Sequence, residues 1–267
     1  MDLNSGLSGC AIIRLPNGCI QKKSASPEYN ERFRRQIAKQ SAFSNLTFRH
    51  ICPPRVLSTE LHEGLVTCDM EYCSGLSYDQ YLSTASPKQI DEMIAGLFEY
   101  FDYLVIDCKH YPQSVSKKLI NEKLKTLSAK SAHSSLISKI LSKVENVDES
   151  LPHTFCHGDL TLSNIIFHPK KLYFIDFLDS FVDSYLVDLV KLKQDLVYNW
   201  SAETQGKSSL RLAQAREIIW SNLEKRYGQY VDSDYFRILE AMNFLRIEPY
   251  VKDSRVSHFL NSILISF

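Results

Sequence analysis

With 267 residues, 44% hydrophobic and 23% charged, the chain can bury a large core as one large domain or two unequal lobes, and it reads as an ordinary soluble protein. Its 31 basic and 31 acidic side chains cancel, so no overall field recruits nucleic acid or an anionic membrane. The seven cysteines, at 10, 19, 52, 68, 73, 108 and 156, form no CxxC pair, which argues for reduced thiols over a disulfide frame or a zinc site. No apolar run is long enough to span a bilayer, and the first residues lack the basic and then apolar pattern of a secretory signal. The expectation is a cytoplasmic protein without membrane insertion, of undetermined oligomeric state.

The first part of the chain has strand character. Residues 11–15 and 18–22 flank Pro16-Asn17-Gly18, and Asn-Gly between β-prone runs predicts a hairpin. Ser26-Pro27 supplies a cap and a first-turn proline, and Tyr29, Phe33 and Ile37 form one apolar stripe of a helix running to about Ala42. Residues 56–58 and 65–72 read as two further strands. Beyond Ser74-Gly75 the spacing turns helical over 77–82, 87–108, 116–127 and 134–144. This change sets the expected boundary between an N-terminal lobe, 1–74, and a C-terminal lobe, 75–267. From Pro152 onward, 154–156, 165–167 and 172–175 look like short buried strands, and helices resume after Tyr185. No internal repeat or low-complexity segment interrupts this order.

The chemistry concentrates in His157-Gly158-Asp159-Leu160-Thr161-Leu162-Ser163-Asn164, followed by Ile175-Asp176-Phe177. Phosphoryl transfer asks for a carboxylate near the attacking hydroxyl and oxygen ligands that hold Mg²⁺ on the phosphates. The step from Asp159 to Asn164 equals the step from base to metal ligand in a kinase catalytic loop, and Asp176 stands where the second metal-binding carboxylate belongs. A strand pair over 165–167 and 172–175, turning at His168-Pro169-Lys170, would return Asp176 to the end of the hairpin that bears Asn164. One Asn, one Asp and the ATP phosphates suffice for Mg²⁺ without a protein cage. His157 suits a role in orienting the loop better than proton transfer.

These residues resemble the signature of the aminoglycoside phosphotransferase and choline kinase superfamily, which has His-x-Asp where protein kinases have His-Arg-Asp. The run Phe177-Leu178-Asp179-Ser180 and the following helix are similar to phosphotransferases of bacterial surface-polysaccharide gene clusters. The resemblance implies a bilobal, protein-kinase-like α+β fold: a small antiparallel sheet lobe with one helix that binds the nucleotide, and a larger, mainly helical lobe that binds the acceptor. It implies Asp159 as catalytic base, with His157 beside it, and Asn164 and Asp176 as Mg²⁺ ligands. Upstream, Ser8-Gly9 resembles the turn that covers the phosphates, although no full G-x-G-x-x-G is present. Lys22 lies on the strand that in kinases carries the α- and β-phosphate lysine, while Lys23 points to the other face. Its carboxylate partner is expected on the next helix, as Glu28 or Glu31. The segment from Met70 to Gly75, with Glu71 and Cys73, resembles the link whose backbone holds adenine. Asp188 resembles the helix aspartate that braces the catalytic loop, and Asp179 and Asp183 read either as helix-start residues or as aids to metal or substrate binding.

The expected function is transfer of the γ-phosphoryl of ATP to a hydroxyl of a small molecule, a sugar or amino alcohol of surface-polysaccharide metabolism. Arg246, Glu248, Tyr250 and Lys252 cluster around Pro249, as a surface helix end or as part of an acceptor site. The C-terminal third has no dense acidic cluster to suit an aminoglycoside. Two rivals are a nucleotide-binding regulatory module, against which Asp159, Asn164 and Asp176 together argue, and a protein kinase, against which the missing Ala-Pro-Glu segment argues.

Overall fold

The computed structural model describes residues 2–3, 9–206 and 209–267. Strands β1 (Asp2–Leu3), β2 (Ala11–Arg14) and β3 (Ile20–Lys23) open the chain. Between β2 and β3, Gly18 takes φ +87° and its N–H reaches the Leu15 carbonyl at 3.0 Å. Asn17 Oδ1 accepts the Cys19 N–H at 3.0 Å, so the Asn-Gly pair makes the expected hairpin turn. A single turn of 3₁₀ helix, Pro27–Tyr29, precedes α1 (Asn30–Ser44), which buries Phe33, Gln36, Ile37, Gln40 and Phe43. The helix therefore starts three residues later than the Ser-Pro signal places it. Next come β4 (Ile51–Cys52), β5 (Val56–His62) and β6 (Leu65–Met70). β5 runs four residues beyond its expected end, because Glu63 and Gly64 both take positive φ, 51° and 79°, and close a tight hairpin to β6.

The antiparallel sheet has the order β1-β2-β3-β6-β5. In it Lys22 is flanked by Ile12 and Cys68. α1 packs Phe33 and Ile37 on Val66 and Cys68 of β6, so the helical period and the strand period meet in one core. After α2 (Tyr78–Thr84), which straddles the division between the two units, and the helical region described below, β9 (Ile165–His168) and β10 (Lys171–Phe174) pair antiparallel, with β4 added parallel to β10. Gly75 has a packing reason here. A Cβ on it would come within 2.6 Å of Ile166 Cγ2 and of the Phe167 carbonyl oxygen, where Leu76 and Phe167 exchange two backbone hydrogen bonds of 2.8 and 2.9 Å.

The first compact unit comprises residues 1–81 and 157–179, and the second 82–156 and 180–267. This differs from the contiguous division at 74: residues 157–179 group with the sheets that precede them. The second unit contains α3 (Pro87–Ile106), β7 (Lys109–His110), α4 (Gln113–Ser128), α5 (Ser134–Asn146), β8 (Pro152–His153), α6 (Tyr185–Leu196), α7 (Trp200–Gln205), α8 (Leu210–Val231), α9 (Asp234–Ile247) and α10 (Ser254–Ile265). α3 begins with a full capping box between Ser86 and Gln89. α6 is buried on nearly every face and packs on α3, α8 and α9. Residues 154–156, expected as a strand, are not one. The Thr154 N–H donates to the Asp183 carbonyl at 3.2 Å and its hydroxyl accepts the Tyr185 N–H at 3.1 Å, so its polar groups serve the start of α6 instead of a sheet. Among the described residues no helix is long and apolar enough to cross a membrane.

Candidate active site

The segment 157–164 is shaped by its own short-range bonds. Gly158 takes φ +87°, a turn that only glycine adopts freely. His157 is fully buried. Its Nε2 lies 2.8 Å from the Ile175 carbonyl oxygen, and its Nδ1 accepts the Asp159 N–H at 3.2 Å. A carbonyl only accepts, so Nε2 carries the proton and the ring is the neutral tautomer. Burial pushes the imidazole from 6.5 down to about 4, against the opposing pull of the Asp159 carboxylate and the Ile175 bond. With both ring nitrogens committed to the backbone, His157 holds the loop in place and is not set up to move a proton.

A 3₁₀ turn, Leu162–Asn164, brings Asn164 back toward Asp159. The Asn164 amide donates to the Asp159 carbonyl at 2.8 Å and to its carboxylate Oδ2 at 3.0 Å. Spending the amide nitrogen in this way fixes the side chain so that its oxygen is the atom left to serve as a ligand. The Asp159 carboxylate is thereby held in one orientation by a neutral donor. Across the hairpin, Ile175 donates to the Asn164 carbonyl at 3.0 Å, and this register carries Asp176 to the same end as Asn164.

Asp176 adopts φ +61°, an uncommon conformation that Asp tolerates better than most residues. Its Oδ1 receives Lys22 Nζ at 2.8 Å. Burial pulls the lysine pKa down, but the charge of Asp176 and the hydrogen bond to it more than offset this and raise it. Lys22 therefore stays cationic. Phe177 packs on His157, ring centroids 4.3 Å apart, and on Phe43 of α1 at 5.2 Å, so the loop rests on an aromatic floor shared with the helix. Among the described residues no group of three or more His, Cys, Asp or Glu forms a metal cage. One amide oxygen and one carboxylate are the hard-oxygen set that Mg²⁺ uses when phosphates and water complete its shell.

The model of the phosphotransferase enzyme family matches residues 20–227, a span that begins at β3 and takes in the whole loop. The chain belongs to this family. A phosphotransferase of this kind is a small-molecule kinase, and solved structures bear out its kinase-like, bilobal α+β fold. Aminoglycoside phosphotransferase APH(3'')-Id from Streptomyces rimosus is 18% identical over 92% of each chain, with a TM-score of 0.57. Aminoglycoside 2'-phosphotransferase-IIIa, in its GDP complex, is 11% identical over 99% of this chain and 90% of its own, with a TM-score of 0.64. A glucosamine kinase in complex with glucosamine, ADP and inorganic phosphate is 12% identical over 99% and 80%, with a TM-score of 0.58. No curated protein matches the chain.

Other expected site residues of the phosphotransferase fall in mixed places. Lys23 pairs with Glu63 at 3.6 Å, on the opposite side of β3 from Lys22. Neither candidate glutamate meets Lys22. Glu31 is exposed and lies 3.6 Å from Arg35, one helical turn on, while Glu28 is exposed and lowered in pKa by its bond to Ser26. Both stand on the solvent side of the first turns, so the expected pairing with Glu31 is corrected to Asp176. Gly9 is exposed with φ +72°, and Ser8 lies outside the described residues. The Glu71 N–H donates to the Arg55 carbonyl at 2.9 Å, so it is engaged within the chain. Cys73 is buried, and burial pushes its thiol up to about 12.

In the second unit Asp188 is fully buried and accepts the Tyr100 hydroxyl at 2.6 Å. Asp183 accepts the Cys156 thiol at 3.3 Å. Glu248 closes the α4–α5 connection by accepting from the Ser131 hydroxyl and, at 3.0 Å, from the Ala132 N–H, so it is a structural brace, while Tyr250 is exposed. Asp179 is not a helix start. It accepts Arg35 Nε at 2.9 Å, and α6 is capped by Ser184, whose hydroxyl accepts the Leu186 N–H.

Proposed function

We propose that the chain transfers the γ-phosphoryl of ATP to a hydroxyl of a sugar or amino alcohol, with Asp159 as base and Asn164 and Asp176 as the Mg²⁺ ligands. The observation that carries the reading is the pair of hydrogen bonds that the Asn164 amide donates to Asp159, which orients the carboxylate and leaves an oxygen for metal in one stroke. When bound, Mg²⁺ supplies charge neutralisation on the phosphates. The rest of the work falls to the chain. With nucleotide bound, Lys22 would hold its phosphate oxygens and Asp176 would be a ligand to the metal, while Asp159 accepts the proton of the acceptor hydroxyl and His157 keeps the loop from rotating.

The acceptor class is supported by the charges of the helical unit. Its buried acids are already engaged: Asp188 with Tyr100, Asp195 with Ser201 at 2.6 Å, and Glu240 with Lys193 at 2.6 Å. Buried Lys191 and Asn243 both donate to Gln194, at 3.4 and 2.7 Å. A polycationic aminoglycoside asks for surplus carboxylates, whereas a neutral or acidic sugar does not. The glucosamine kinase among the structural neighbours lends support to a sugar, and surface-polysaccharide metabolism would supply one. Seven cysteines without a disulfide fit a cytoplasmic setting.

The test is ADP release with a panel of sugars, acidic sugars, amino alcohols and aminoglycosides. Acceleration by a sugar or amino alcohol supports the reading, and acceleration by aminoglycosides alone overturns the acceptor class. Binding of Mg·ATP with no acceptor accelerating turnover favours a nucleotide-binding module.

A further inference from the structure

Residues 176–179 form a four-residue strip, of which the first is held by β3 and the other three by α1. Asp176 is held by Lys22. Phe177 is held by the aromatic contacts to Phe43 and His157. The Leu178 N–H donates to the His157 carbonyl at 2.9 Å, and its carbonyl accepts Lys39 Nζ at 3.1 Å. Asp179 accepts Arg35 Nε at 2.9 Å. Arg35 and Lys39 are one turn apart on α1 and so share a face of the helix. That face lies beside the buried stripe of Phe33, Ile37 and Phe43, which anchors α1 to the sheet and to Phe177.

Lys22–Asp176 differs from the others in one respect: both partners are wanted elsewhere when nucleotide arrives. On the proposed function Lys22 would hold the phosphates and Asp176 the metal. At that moment the strip loses its tie to β3, while its left-handed residue, Asp176 at φ +61°, still has to keep its aim. We infer that Arg35 and Lys39 are positioning residues that hold the 176–179 strip on α1 while Lys22 and Asp176 part, and so set the affinity of the site for the Mg²⁺-bound nucleotide. This inference rests on the phosphotransfer reading. Here α1 contributes two cations to the loop after the metal ligand, where Glu31 was expected to contribute an anion to the strand lysine.

Arg35 is about half exposed and Asp179 about one-third, so the pair adds little to resting stability. A merely structural role would therefore leave metal affinity alone, and a positioning role would not. The experiment is calorimetric titration of ATP with Mg²⁺ and with a chelator, without acceptor, on wild type, Arg35→Ala, Lys39→Met, Arg35→Lys, and the charge swap Arg35→Asp with Asp179→Arg. The expected result is about a tenfold weaker affinity for Mg·ATP in Arg35→Ala and Lys39→Met, on the scale of lost outer partners at metal sites. Metal-free ATP should bind as in wild type, the melting temperature should hold, and the lysine variant and the swap should recover part of the loss. Wild-type affinity for Mg·ATP in both single variants would overturn the inference, as would an equal loss with and without metal. If wild type itself binds no Mg·ATP, the phosphotransfer reading falls first, and a failure of that reading is thereby told apart from a failure of the clamp.

Discussion

Acid should destabilise this protein through His157 in a way that can be isolated from its other groups. The imidazole is fully buried and neutral, with its pKa brought from 6.5 to about 4. A folded-state pKa below the unfolded one means that the unfolded chain binds the proton first. The contribution of neutral His157 is thus complete above the unfolded value and is lost as pH falls from about 6.5 to about 4. A shift of that size, at about 1.4 kcal/mol per unit, is worth about 3 kcal/mol. The comparison is urea unfolding of wild type and His157→Gln at several pH values between about 7.5 and 4.5, since the amide can still donate to Ile175 but does not titrate. Carboxylates common to both proteins cancel in the difference. The stability advantage of wild type should shrink toward acid by about 2–3 kcal/mol. An advantage that stays constant or grows on acidification would refute the buried neutral tautomer, and a His157 titration near its ordinary value would do the same.

Three further outcomes follow from individual contacts. Gly75→Ala forces a Cβ into the Phe167 carbonyl and Ile166 and should cost about 1–3 kcal/mol, read as a lower urea midpoint; an unchanged midpoint would mean that the link between Gly75 and β9 relaxes freely. Tyr100→Phe removes the donor to fully buried Asp188 and should cost about 1.5–3 kcal/mol, again by urea unfolding, with no change in ATP affinity. Lys22→Met should weaken ATP binding about 10–100-fold, the value of one charged hydrogen bond to phosphate. Nucleotide affinity within about twofold of wild type would place the phosphates away from β3.

The hairpin that returns Asp176 to the end bearing Asn164 was legible because it is set by near neighbours in sequence and by period-two pairing. The Asn-Gly hairpin was legible for the same reason. What escaped depended on tertiary partners. Glu31 has the helix position and charge for Lys22, yet it lies on the outer side of α1, and Asp176 arrives from 154 residues away to take the lysine. Arg35 and Lys39 look like ordinary solvated helix cations until the 178–179 strip is seen against them. Residues 154–156 have strand composition, but their polar groups go to Asp183 and Tyr185, and propensity yields to those bonds. The two-residue strand β4, parallel to β10, leaves no period to read.

The central claim is that Asp159 takes the proton of the acceptor as phosphate is transferred. The most direct measurement is phosphorylated product, detected by mass spectrometry, from an accepted substrate with wild type and Asp159→Asn. Both proteins should first be shown to bind Mg·ATP equally. The account predicts a loss in kcat of about 10²–10⁴-fold with nucleotide binding intact. Transfer at the wild-type rate by Asp159→Asn would contradict it.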